Sequence, residues 1–181
     1  ATFTAFLVVP QLVKFYEKRT ILLSAIALAA LIPPIPLLLF INGYLPAPGT
    51  WDLFFATIPF VYIANTSLSS SSIIRESMLG DISDEVELDT NLGQQGLMYA
   101  SSSLIGKLNT GLGILMAGLA LEFIGFPQGS QVTPNADHIF NLAMIQGPLV
   151  AVLMIIPFGI FSMYKIDRFK HQEIITELEN R

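Results

Sequence analysis

The sequence predicts an all-α protein, a polytopic bundle of membrane-spanning helices. Three observations predict it. Hydrophobic residues make up 52% of the 181-residue chain and charged residues only 13%, where soluble domains carry about 25% charged residues. Four apolar stretches are long enough to cross a bilayer, which takes about 20 helical residues for roughly 30 Å of hydrocarbon. Lysine and arginine fall only in alternate connectors, with one exception, as they do in a chain that crosses at every stretch.

Residues 1–13 are apolar but too short to span. They are expected to be the end of a span that begins earlier. Lys14, Glu17, Lys18 and Arg19 form a charged connector. The first full span, 20–41, carries Pro33, Pro34 and Pro36. Proline removes a backbone donor and clashes with the preceding turn, so this helix should bend or break there. Residues 42–50 form a turn.

The second span is 51–74. Trp51 and Tyr44 suit a membrane interface. Tyr62, Asn65, Ser69 and Ser72 recur at three- and four-residue steps and share one face, which is expected to look inward. Such residues either glue helices together or face a functional cavity.

Residues 75–96 are expected to be an acidic, water-exposed loop. Arg75 stands there against Glu76, Asp81, Asp84, Glu85, Glu87 and Asp89, a local charge of −5 that equals the whole formal net charge of −5. The remainder is neutral, which leaves no basic patch for nucleic acid. The acids lack the glycine and terminal-glutamate spacing of a calcium-binding loop, so no metal site is assigned. They are expected to pair with basic residues of a missing partner half and to serve as a gate.

The third span, 97–126, has two sides. Leu104, Leu108, Leu112, Leu115 and Leu119 form one, and Gly106, Gly113, Ala117 and Ala120 the other. Ser103, Lys107 and Thr110 lie on the edge between them. If the bilayer begins at Gly96, Lys107 sits roughly 16 Å deep at 1.5 Å per residue. A cation that far into hydrocarbon marks a functional position unless it snorkels. The turn 127–140 has no lysine or arginine. The fourth span, 141–164, contains Pro148 and Pro157, and the charged tail 165–181 follows. His138 and His171 are expected to be ordinary solvated histidines.

Lys14, Lys18, Arg19, Arg75, Lys165, Arg168, Lys170 and Arg181 share one side on this count. The positive-inside rule makes that side, with the C-terminus, cytoplasmic. There is no cysteine, hence no disulfide framework. The phosphate-binding GxxxxGK[ST] pattern, HExxH and a Ser-His-Asp arrangement are also missing, so neither an ATP-driven machine nor an enzyme is indicated.

The stretch SMLGDISDEVELDTNLGQQGLMYASSSLIGKLNTGLG resembles the segment after the tenth helix of glycoside–pentoside–hexuronide:cation symporters, which belong to the major facilitator superfamily. The matching residues are Met78, Asp81, Asp84, Glu85, Gly96, Ser103 and Lys107. KFYEKRT and YKIDRFKHQEIITEL resemble that family's loop after the eighth helix and its tail. Where family members often carry arginines and a glutamate just before the glycine, this chain reads NLGQQG, with Gln94 and Gln95.

The resemblance implies the C-terminal half of a twelve-helix transporter, four full spans plus one partial. It implies cation-coupled symport, with Na⁺ or H⁺, of a sugar, glycoside or related organic solute, in a bacterial inner membrane. No cofactor is implied beyond the coupling ion. Expected partners are the lipid bilayer, the solute and the N-terminal transporter half. Candidate solute- or cation-binding residues are Lys107, Asn65, Ser103 and Thr110. Candidate gate residues are Asp81, Asp84, Glu85 and Glu87. The alternative is a non-transporting accessory or degenerate protein of the same fold.

Overall fold

A computed structural model describes residues 1–47, 50–126, 136–164 and 168–179, and every regular element among them is helical. Helix α1 covers Thr2–Phe15, α2 Lys18–Leu31, α3 Pro34–Ile41, α4 Trp51–Thr90 and α5 Gln95–Phe123. Then come α6 (Ala136–Met144), a π-turn (Ile145–Leu149), α7 (Val150–Leu153), α8 (Ile155–Phe161) and α9 (Arg168–Glu179). Four stretches are long and apolar enough to cross a membrane: Lys18–Ile41, Trp51–Thr90, Gln95–Phe123 and Asp137–Phe161. The chain is a multi-pass membrane helix bundle, and α1 is a shorter apolar helix beside the four. Parts of the connectors 42–50 and 127–140 and of the tail 165–181 lie outside the described residues.

Prolines mark two of the breaks in the spans, while Pro59 leaves α4 unbroken. Helix α2 stops at Leu31 and α3 restarts at Pro34, while Pro148 sits in the π-turn. The two irregularities meet. A Cβ built on the buried Gly147 would lie 3.3 Å from Pro34 Cα and 3.8 Å from the Pro33 carbonyl oxygen. A glycine lets the two backbones come this close without displacing either. The contact keeps the irregular backbone against protein instead of lipid, where a freed polar group would find no partner.

Helix α4 dominates the fold. Thr50 caps its start, the side-chain oxygen accepting from the Leu53 N–H at 3.3 Å. Trp51, Phe54 and Phe55 cluster there, with Trp51 and Phe54 edge to face at 5.8 Å. The helix runs 40 residues and ends at Asn91, which takes the left-handed conformation at φ 57°. At 1.5 Å per residue that is about 60 Å, twice the hydrocarbon thickness. The expected acidic loop is therefore corrected. Its first part continues α4 as helix to Thr90, and residues 91–94 alone make the turn into α5. Sequence supplies one reason: no proline interrupts α4 after Pro59. The other reason is the set of partners the acids find, described below.

The core lies toward the Lys18 end. Val9 of α1, Ile21, Leu22 and Ile26 of α2, and Ile74 and Met78 of α4 are buried together, with Met154, Phe161 and Tyr164 packed against them. The buried stripe of α4 is Ala64, Ser67, Ser70, Ile74, Met78 and Asp81, spaced by three and four residues as one helix face requires. The face of Tyr62, Asn65, Ser69 and Ser72 is a different one. Within this chain it is left largely uncovered: Tyr62, Asn65 and Ser72 are exposed and Ser69 half-buried. At its edge Ser69 meets Thr2 of α1 at 3.2 Å, and Tyr62 meets Thr4. No residue of α5 is buried, so its leucine side and its small-residue side are both open.

Candidate functional site

Two constellations stand out, both along the far half of α4. The first lies between α4 and α5. The turn at Asn91 folds α5 back along α4, and side chains tie the pair. Tyr99 donates its hydroxyl to the Glu76 carbonyl at 3.4 Å, and Gln95 donates its amide to Asp84 at 3.3 Å. A Cβ on Gly80 would sit 3.3 Å from the Tyr99 hydroxyl. Beyond this tether the helices part around an opening of about 900 Å³. Its polar lining is Arg75, Glu76, Tyr99, Ser101, Ser102, Ser103 and Asn109. Arg75 is braced there, donating to Ser72 Oγ and Glu76 Oε1 at 3.3 Å each.

Of the residues singled out from sequence as solute- or cation-binding, Ser103 lines this opening and Asn65, Lys107 and Thr110 do not. Asn65 and Thr110 turn back onto their own helices, donating to the Val61 and Gly106 carbonyls at 2.8 and 2.9 Å. This habit satisfies a polar side chain locally. Lys107 is exposed. The tether also changes its depth. Tyr99 is level with Glu76 and Gly80, so Ser102 is roughly level with Arg75, just past the end of the second span as read from the sequence. From there to Phe123 is about 33 Å of helix, which matches the hydrocarbon layer. Lys107 is then about 8 Å inside that boundary, half the depth that entry at Gly96 gives. Arg75, Tyr99 and Asn109 were missed from sequence. An asparagine within an apolar span was a visible signal; the placement of Arg75 and Tyr99 depends on the hairpin.

The second constellation is charged. Asp81 is only 6% exposed. Its carboxylate accepts from Lys18 Nζ at 2.6 and 2.8 Å and from the Tyr164 hydroxyl at 3.3 Å. His171 Nε2 lies 3.2 Å from Asp84 and 3.5 Å from Asp81, and Lys170 is paired with Glu85. The last membrane-crossing stretch ends at Phe161, short of the expected 164, so Tyr164 lies beyond it. Burial first, then the neighbouring Asp81 and Glu85 carboxylates, push its phenol well above the usual tyrosine range, so it stays protonated and donates. Two expectations are corrected here. The acids Asp81, Asp84 and Glu85 pair with bases of this same chain. His171 is not merely solvated but sits between two carboxylates, because α9 folds back onto α4. Glu87 stands at the end of α4, its carbonyl accepting from the Asn91 N–H at 2.9 Å. Among the described residues no group of three or more histidine and carboxylate side chains could hold a metal ion. The Ser83 hydroxyl is buried without a hydrogen-bond partner among them.

Comparison with known proteins places these observations in context. A family described as MFS/sugar transport protein matches residues 1–168. An uncharacterized symporter of Synechocystis sp. is 28% identical over 142 residues, which cover 76% of this chain and 26% of that protein. The chain thus spans about a quarter of the length of the curated relative it matches. No solved structure matches.

Proposed function

Because the chain belongs to the MFS/sugar transport protein family, a family of transporters and not of enzymes, we propose that it forms part of the C-terminal half of a secondary symporter. The solute is a sugar, glycoside or related organic molecule, and Na⁺ or H⁺ drives it. A preceding half completes the transporter, and alternating access rocks the two halves about a site near mid-membrane. The membrane is a bacterial inner membrane, and the side rich in lysine and arginine, with the C-terminus, is cytoplasmic.

The observation that carries this reading is the exposed polar face of α4, from Tyr62 to Ser72, beside an opening lined by Ser102, Ser103 and Asn109. Polar groups on a membrane-spanning helix have to meet protein or a water-filled path, not lipid. A solute carrying hydroxyls finds donors and acceptors there. Lys107 contributes an ammonium on the same helix as Ser103 and Thr110, and Asn65 stands on the exposed polar face of α4.

The test uses the full-length transporter and a panel of radiolabelled glycosides, with a Na⁺ or H⁺ gradient imposed on vesicles. Gradient-driven uptake of one glycoside is expected. At equal expression, Lys107→Ala is expected to abolish the gradient dependence and Ser103→Ala to raise the KM several-fold. Lys107→Arg is expected to fail as well, since a planar guanidinium does not replace a compact ammonium. Wild-type uptake by both Lys107 variants would reduce that residue to a snorkelling lysine. No gradient-driven uptake of any glycoside would remove the symport reading.

A further inference from the structure

We infer that α9 is a strap: its docking holds the outer part of α4 helical, so that rod and tail order or unravel together. The inference rests on packing and charge and not on the transport reading.

The outer part of α4, residues 76–90, lies beyond the membrane-spanning length. Left to itself in water it is a poor helix. It continues a membrane-spanning helix, so nucleation is already met and the propagation of its about 15 residues decides whether it forms. Its acids repel one another across single turns: Asp81 faces Glu85, and Glu85 faces Asp89, each four residues apart. Glu87 and Asp89 lie in the last turn, where the helix dipole disfavours negative charge. The sequence alone therefore reads as a loop. Helix α9, with 12 residues, is too short to stand alone.

Together the two segments supply what each lacks. Lys170 of α9 pairs with Glu85, and His171 of α9 sits between Asp84 and Asp81. Lys18 of α2 takes the remaining charge of Asp81 at 2.6 Å, and Tyr164 donates to the same carboxylate. The bases converge on the three carboxylates that crowd one face. Ile174, 3% exposed, adds a buried apolar anchor one helical turn beyond. Helix α5 touches the rod through Tyr99 and Gln95, but these bring no positive charge. The strap therefore supplies the neutralisation that the hairpin does not.

Hydrogen exchange read by mass spectrometry on the full-length protein in lipid nanodiscs tests this. Deleting residues 168–181 is expected to speed exchange of amides 79–90 by about tenfold or more, as local opening does. Amides 21–29 of α2, in the membrane core, remain slow and serve as the internal standard for an intact fold. Lys170→Ala with His171→Ala, tail retained, is expected to move the same amides in the same direction by a smaller factor. Asp84→Asn with Glu85→Gln in the tail-deleted protein is expected to return slow exchange, because the repulsion is gone. Equal exchange of 79–90 with and without α9 would overturn the strap. Fast exchange persisting in the neutralised, tail-deleted variant would overturn its electrostatic basis.

Discussion

Asp81→Ala is the most informative single substitution, because one buried carboxylate holds three elements at once. The change removes both contacts to Lys18, at 2.6 and 2.8 Å, and strands a tyrosine hydroxyl. Removing one partner of a fully buried ion pair costs about 3–5 kcal/mol. Here the Lys18 side chain keeps 23% of its exposure while that of Asp81 keeps 8%. Water therefore screens part of the loss, and about 2–3 kcal/mol is expected. The assay is a double-mutant cycle of Asp81→Ala and Lys18→Ala in the full-length protein, read by denaturant unfolding in mixed micelles. A coupling of about 1–2 kcal/mol is expected, with the double variant little worse than Asp81→Ala alone. Strict additivity, within about 0.3 kcal/mol, would refute the claim that this pair fastens α2 to α4.

Gly147→Ala is expected to destabilise by about 1–3 kcal/mol, since its Cβ meets the Pro34 backbone at 3.3 Å, and Gly147→Val more; unchanged thermal stability in detergent would dissolve that contact. This chain holds no cysteine, so single cysteines placed in it report topology once the rest of the full-length protein is freed of cysteine: one replacing the exposed Tyr44 should label from outside intact cells. One replacing the exposed Asp89 should label only once the membrane is opened, and labelling in the reverse pattern would invert the orientation.

Much of the fold was legible because a bilayer imposes few choices. Length and apolarity marked the four spans, and proline marked the break between Leu31 and Pro34. The conformation of the acidic segment was not legible. Its charges argue against helix when counted locally, and the bases that offset them, Lys18 and Lys170, are distant in sequence. His171 was misread for the same reason. Asp84 is 87 residues away, and no spacing rule reaches that far. The site was legible only in kind. A lysine within an apolar helix and a polar face can be found by inspection, but the level of Lys107 against α4 follows from the hairpin register set by Tyr99, and the lining role of Arg75 from the way α4 and α5 part.

The unbroken course of α4 makes the chain intolerant of insertions and deletions in one segment and forgiving of them next door. An α-helix turns about 100° per residue. One residue added between Ile74 and Asp81 would leave the apolar contacts of Ile74 in place and swing Asp81, Asp84 and Glu85 a quarter-turn or more away from Lys18 and α9. The same residue added to the turn 91–94 would change no register within α4. Natural length variation in proteins built this way should therefore collect in that turn, and the stretch from Ile74 to Glu85 should keep a constant residue count even where its side chains change.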